Sequence, residues 1–241
     1  MRTIDTRYMP SVGGIDLEQS LNYIALADVS LDFIYDKYTS GRLIYTAGSR
    51  PVLEGLAASL IGGIAGEMEK IEKLTRFVAE KVPWAGYYHQ AMGHRLAYNR
   101  NLNEEDLIAS GYGWCNEQAR LLCALTQLIG IPSRIVFASA SASARKGGGH
   151  VVVEVLTAKG WLLADQSFGY LFINNGKIVD AYNVWHNKKN HEYFAPVYKK
   201  LCAKLTSELG KVILKDEFSM SQMANPLDGF EILGYHNYFI L

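Results

Sequence analysis

A cysteine, a histidine and an aspartate follow one another along the chain, each at the edge of a predicted element. Cys115 comes directly after the turn-like run 111–114, Gly-Tyr-Gly-Trp, and before an amphipathic stretch. His150 begins a β-rich run after three glycines, and Asp165 ends the next such run. A thiol attacks well only as a thiolate, which a helix N-terminus and a neighbouring imidazole both favour. The pattern predicts Cys115 as a nucleophile, His150 as its base and Asp165 as the carboxylate that orients the imidazole.

The predicted strands test whether the histidine and the aspartate can meet. The runs 150–156 and 161–165 are separated by a short turn-forming segment, which is a hairpin signal. A two-residue or a four-residue turn gives the same register, in which Val152 pairs with Asp165. Residues two apart in a strand share a face, so Asp165 then lies on the face of His150, one diagonal away at roughly 7–8 Å. This register allows an Asp–His hydrogen bond, whereas a one-residue bulge would break it.

The elements that must position these residues follow from periodicity and from helix-stop signals. Apolar residues recur at helical spacing before Pro83, and again after Cys115 as far as Gly130 and Pro132. These signals predict helices at 17–27, from Pro51 onward, and at 67–82, 102–110, 116–129 and 196–209, strands at 42–46, 134–139, 150–156 and 161–165, and a hairpin at 171–179.

Composition narrows the class of protein. The chain has 241 residues with 24 basic and 24 acidic side chains, and a nucleic-acid binder would show a basic excess. The N-terminus lacks the apolar region of a signal peptide, and the longest apolar stretch, 56–65, is about half a membrane span. Three cysteines without a CxxC spacing indicate a reducing compartment. We therefore expect a cytoplasmic protein that binds neither membranes nor nucleic acid.

Other polar residues have more ordinary interpretations. His186, His191 and Glu192 do not have the spacing of a metal site, so neither a metal nor another cofactor is expected. Cys123 lies on the predicted core stripe and Cys202 on the predicted C-terminal helix, so both are expected to be inert. The segment 139–149 has no large apolar side chains and is rich in glycine. This composition predicts a mobile flap beside the active site. A lone cysteine at a helix start is more often a small buried residue. The Cys–His–Asp order instead favours a catalytic role for Cys115.

Several blocks of the sequence resemble the transglutaminase-like superfamily. The blocks 111–119, 124–125 and 130–134 resemble its nucleophile region, and 149–155 and 160–165 resemble its histidine and aspartate strands. The resemblance implies a bacterial-type, single-domain member with an α+β, papain-like core. In such a core the cysteine helix packs on an antiparallel sheet that carries the histidine and the aspartate. The predicted core is 66–172, between an N-terminal extension, 1–65, and a C-terminal extension, 173–241, packed on it.

The resemblance also implies a reaction and a second set of site residues. Cys115 would attack an acyl carbon, and its N–H and a second donor would hold the oxyanion. In that superfamily an aromatic side chain that follows the helix before the cysteine often supplies this donor. Trp84 lies near that position, although packing in the core is an equal alternative. Tyr87, Tyr88 and Gln90 compete for the role, and these three together with Trp114 and Gly149 are the expected cleft residues.

The expected activity is that of a thiol enzyme on a peptide, amide or other acyl substrate, with hydrolysis slightly favoured over transfer to an amine. Transglutaminase or N-acyltransferase activity is an alternative, and the arylamine N-acetyltransferase type fits less well around Cys115. A binding module that kept the fold but lost turnover is a further alternative, which the intact triad disfavours. Either extension could bind a protein partner.

Overall fold

The computed structural model describes residues 45–85, 102–139, 149–174, 176–186, 193–194 and 231–236. Its elements in chain order are α1 (Pro51–Ile61), α2 (Glu67–Lys81), α3 (Glu104–Ser110), α4 (Cys115–Leu128), β1 (Ser133–Ser139), β2 (Gly149–Thr157), β3 (Gly160–Asp165), β4 (Tyr170–Asn174), β5 (Lys177–Ile178), α5 (Ala181–His186), β6 (Tyr193–Phe194) and β7 (Glu231–His236).

Most predicted elements within these ranges are confirmed. Helix α1 begins at Pro51, whose missing N–H is tolerated at the first helical position. Helix α3 ends at Gly111, which has a φ of +77° and so provides the left-handed cap that other residues adopt at a cost. The strand predicted at 42–46 is wrong for Tyr45 and Thr46, which lie in irregular backbone. The helices predicted at 17–27 and 196–209, with Cys202, lie outside the described residues.

The strands form one antiparallel sheet. Their order is β5–β4–β3–β2–β1–β7, and β6 also pairs with β4. Between β2 and β3, Thr157 pairs with Gly160 and Val153 with Ala164, as the predicted hairpin register requires. The observed architecture is therefore α+β, as predicted, with a helix-rich first part followed by an antiparallel sheet.

The main core lies between the helices and one face of the sheet. Val151, Val153 and Val155 of β2 point into it, and they belong to the same buried cluster as residues of α1, α2 and α4. Leu53 of α1 is fully buried there, so α1 packs with the core although it precedes the predicted boundary at residue 66. The division into core and extensions stays a prediction.

The opposite face of β2 carries a buried ion pair. Arg134 Nε donates to Glu154 Oε2 at 2.6 Å, and the other carboxylate oxygen accepts the backbone N–H of Ala181 at the start of α5 at 2.7 Å. The guanidinium lies 4.1 Å from the centre of the Trp161 ring. Burial raises the pKa of Glu154 and Arg134 opposes that rise, so the carboxylate depends on its partner.

Arg134→Met is therefore expected to destabilise the fold by about 3–5 kcal/mol, because it leaves the buried Glu154 carboxylate without its cation. Chemical denaturation at neutral pH measures the change. The control is Arg76→Met, which removes a partly exposed pair with Glu72 at 3.4 Å and is expected to cost about 0.5 kcal/mol or less. Equal losses in the two variants would contradict the prediction.

Candidate active site

Cys115 is the first residue of α4 and is half-buried. The preceding residue, Trp114, has extended backbone, and its N–H donates to Glu117 Oε2 at 2.8 Å, which closes the first turn of the helix. Gly113 lies close to its neighbours, since a Cβ there would lie 3.0 Å from Leu107 Cδ1 and that side chain would have to shift. The glycine-rich turn thus holds the start of α4 closely against the neighbouring helices.

His150 and Asp165 are joined by a hydrogen bond of 2.8 Å between Nε2 and Oδ2. This is the contact that the predicted strand register allowed. Asp165 is fully buried, and its Oδ1 accepts the backbone N–H groups of Ser167 at 2.9 Å and Phe168 at 3.3 Å. The carboxylate is therefore held from both oxygens. The Phe168 ring lies 5.9 Å from the imidazole, centre to centre, and packs against it.

The Cys115 side chain also interacts with the imidazole and helps to raise its pKa. Because Nε2 is bonded to Asp165, Nδ1 is the nitrogen left for the sulfur. Burial alone would lower the pKa of His150, but the Asp165 carboxylate and the Cys115 side chain outweigh it and raise the pKa to about 10. The site thus favours an imidazolium held between the side chains of Asp165 and Cys115.

Trp84 is placed beside the cysteine turn by backbone hydrogen bonds. Ala85 N donates to Gly113 O at 2.7 Å, and Gly113 N donates to Pro83 O at 3.1 Å. The Trp84 and Trp114 rings meet edge to face, 5.8 Å apart. The structure therefore brings the predicted oxyanion residue next to the residue that precedes Cys115. Its role as a donor stays a prediction.

The sequence did not predict three buried polar residues of the site, which are Gln118, Gln166 and Ser167. Gln118 lies one turn after Cys115, donates from Nε2 to Val82 O at 2.7 Å and accepts from Ser167 Oγ at 2.6 Å. Gln166 donates from Nε2 to Cys115 O at 3.0 Å and to Val151 O at 2.7 Å. A signal was present, because polar side chains directly follow Asp165 and interrupt the apolar face of α4.

The other residues predicted for the site lie partly within the described part of the chain and partly outside it. Trp114 directly precedes α4 and Gly149 begins β2, so they are adjacent in sequence to Cys115 and His150. Cys123 is fully buried, and burial raises the pKa of its thiol to about 12, as expected of an inert cysteine. Tyr87, Tyr88, Gln90 and the flap residues 140–148 lie outside the described residues.

Two features are absent from the described residues. In those segments, no group of three or more His, Cys, Asp or Glu side chains is arranged to hold a metal ion. No helix among them is long and apolar enough to cross a membrane.

The chain is similar in structure to several solved proteins. A proposed cysteine protease from Cytophaga hutchinsonii is 18% identical, with 80% of this chain and 57% of that chain covered and a TM-score of 0.41. A proposed protease from Parabacteroides distasonis is 15% identical, covers 49% and 23%, and has a TM-score of 0.37. The periplasmic domain of TgpA from Pseudomonas aeruginosa, bound to ethylmercury, is 18% identical, covers 52% and 47%, and has a TM-score of 0.40.

The chain thus spans 57% or less of the length of these three solved chains. A comparison with curated protein sequences finds no match.

The site combines a cysteine at a helix start with a His–Asp pair on the adjoining sheet of an α+β core. This is the arrangement of an active site of the thiol-enzyme class. Residues 54–166 match the model of the transglutaminase-like superfamily. The matched segment is just under half of the chain and contains Cys115, His150 and Asp165. The match supports a thiol enzyme in general.

Proposed function

We propose that the protein is a thiol hydrolase that cleaves an amide bond of a peptide or related acyl compound through a covalent acyl-enzyme. One observation carries the proposal. A single imidazole, that of His150, hydrogen-bonds the buried Asp165 carboxylate and interacts with the side chain of Cys115 at the start of α4. A histidine with only a structural role has no need of a half-buried thiol at a helix N-terminus on one side and a fixed carboxylate on the other.

The chemistry proceeds in two halves. The Cys115 sulfur attacks the carbonyl carbon, and His150 donates its proton to the leaving amine as the C–N bond breaks. A water molecule then gives a proton to His150 and attacks the acyl carbon, and the thiolate leaves with the pair of electrons from the S–C bond. Asp165 stays ionised and keeps Nδ1 directed at the sulfur.

The oxyanion of each tetrahedral intermediate needs donors close to Cys115. The Cys115 backbone N–H is suited to this because it lies at the N-terminus of α4, where the first amides lack intrahelical acceptors. Trp84 is the proposed second donor, from its position beside Trp114. Removal of one such donor typically lowers kcat by about 10²–10³-fold.

We expect Cys115 to react with iodoacetamide at about pH 6, where an unassisted cysteine, with a pKa of about 8.5, is almost entirely protonated. Peptide mapping by mass spectrometry locates the label. Cys123 provides an internal control on the same helix, because burial should keep it unlabelled until the protein unfolds. His150→Gln should slow labelling of Cys115 at pH 6 but leave Cys123 unchanged. Labelling of Cys115 only at alkaline pH, unaffected by His150→Gln, would contradict the proposal.

Hydrolysis and transfer are separated by the fate of the acyl group. A panel of peptide and amide substrates is incubated with and without a fluorescent primary amine, and products are resolved by mass spectrometry. Free acid as the main product in the presence of amine supports a hydrolase. Dominant incorporation of the amine would reassign the reaction to an acyltransferase, and no turnover by a protein with a reactive Cys115 would favour a binding module.

A further inference from the structure

Gln166 links the helix that carries the thiol to the strand that carries the imidazole. Its side-chain nitrogen donates to the carbonyl of Cys115 at 3.0 Å and to that of Val151, the residue after His150, at 2.7 Å. Both protons of one amide group are thus used on the backbone of the two reacting segments. The residue is fully buried.

The place of Gln166 in the sheet explains why a side chain makes this link. The ladder of paired residues between β2 and β3 ends at Val153 and Ala164. Continuing that register sets Val151 opposite Gln166. There the side chain, rather than the backbone, donates to the Val151 carbonyl and reaches on to α4. The amide therefore spans the junction between helix and sheet at the level of the site.

The amide group supplies the two donors that this junction between helix and sheet uses. The Oε1 atom of Gln166 is buried and has no hydrogen-bond partner within the described part of the chain. Leaving a buried amide oxygen unpaired is unfavourable, so it offsets part of what the two donated bonds contribute. An apolar side chain of similar size would avoid that loss but could not hold the two carbonyls together.

We propose that Gln166 is a positioning residue that sets the separation of the Cys115 sulfur and the His150 imidazole. The proposal rests on the proposed function, in which these two groups react together. Asp165 and Gln166 are adjacent in the chain. The Asp165 carboxylate holds the imidazole, and the Gln166 amide holds the backbone carbonyl of the residue that carries the thiol. A misplacement of about 1 Å between reacting groups can lower a rate by about 10²-fold.

The test compares the rate of Cys115 alkylation by iodoacetamide from about pH 5 to 10 in the wild-type protein, Gln166→Met, Gln127→Met and His150→Gln. Gln127→Met is the matched control, because Gln127 is also buried and lies on α4 but near its far end. Thermal unfolding of each variant is measured in parallel. In Gln166→Met we expect the rate at pH 6 to fall roughly 10-fold to 100-fold, toward that of His150→Gln. We also expect the pH of half-maximal rate to rise and the thermal midpoint to stay close to that of Gln127→Met.

The outcomes separate this inference from the proposed function. If the wild-type protein and His150→Gln react alike, the proposed thiol–imidazole chemistry fails, whatever Gln166 does. If they differ but Gln166→Met keeps the wild-type pH profile, only the positioning role is overturned. Should Gln166→Met not fold, Gln166→Asn, which keeps the amide but is one methylene too short to reach both carbonyls, is measured in its place. Unfolding of both variants would assign Gln166 to stability and overturn the proposal.

Discussion

Replacement of Cys115 by serine is expected to reduce turnover of a cleaved amide substrate by about 10⁴-fold or more, with the fold intact. Losing the nucleophile of a catalytic triad removes the covalent route, and what remains is binding and oxyanion stabilisation. A hydroxyl in place of the sulfur is a much weaker acid, so the imidazole cannot hold it ionised. The side chain is only half-buried, so the change should alter stability little.

The measurement is kcat/KM on the best substrate from the panel described above, with unfolding followed by circular dichroism. Cys123→Ser is too disruptive a comparison because it buries a hydroxyl, so Cys123→Ala is the matched control. It should keep near wild-type activity while losing some stability. Activity of Cys115→Ser within tenfold of the wild-type protein would show that another group is the nucleophile.

The sequence predicted the helix–sheet framework because its signals are local. Hydrophobic periodicity and proline or glycine stops specified α2 and α4 to within one or two residues. Strand parity placed His150 and Asp165 on one face, since a hairpin with a short turn leaves few alternatives for its register. Local rules thus sufficed wherever the partners lie on one helix or one hairpin.

The contacts that join distant segments could not be predicted in the same way. Gln118 bonds to Val82, and Gln166 bonds to Cys115, across separations of 36 and 51 residues. Such bonds depend on how α2, α4 and the turn after β3 pack together, which periodicity does not specify. The pairing of β7 with β1 is another example, because the strand 231–236 lies far along the chain from its partner. Packing, rather than propensity, decides these contacts.

The same limit applies to Trp84. Its position after Pro83 was visible, but the sequence left an oxyanion role and plain packing open. The structure adds the backbone bonds between Ala85, Gly113 and Pro83, which set Trp84 beside Trp114. Placement of this residue came from tertiary contacts, and its role as a donor is still a prediction.

Asp165→Asn is expected to lower kcat by up to about 10⁴-fold, the magnitude of the same change in a serine–histidine–aspartate triad. The physical reason is the direction of the hydrogen bond at His150 Nε2. With a carboxylate, Nε2 must carry a proton, which leaves Nδ1 free to accept one from the thiol. The amide can retain the Ser167 and Phe168 N–H bonds on its oxygen, but its NH₂ group then faces Nε2. Neutral His150 is thus driven to carry its proton on Nδ1, where it cannot act as a base.

The control for this change is Asp180→Asn. Asp180 accepts the Asn183 N–H at 2.7 Å at the start of α5, and an amide oxygen can accept the same bond. It should therefore leave kcat nearly unchanged. If both variants lose activity equally, or if neither does, Asp165 has no orienting role.

Asp165→Asn should also change how stability depends on pH. The folded protein raises the pKa of His150 from 6.5 to about 10, chiefly because Asp165 outweighs the effect of burial. The stabilisation is complete below about pH 6.5 and is lost as the pH rises toward 10, because only the folded state then still binds the proton. The wild-type unfolding free energy should fall across this range by more than that of Asp165→Asn, while groups elsewhere titrate alike in both.

Denaturation at about pH 6 and pH 9.5 measures the two slopes, and NMR titration of His150 should show a lower midpoint in the variant. Parallel slopes and an unchanged midpoint would mean that Asp165 does not hold the imidazolium, and the orienting role would fall with it.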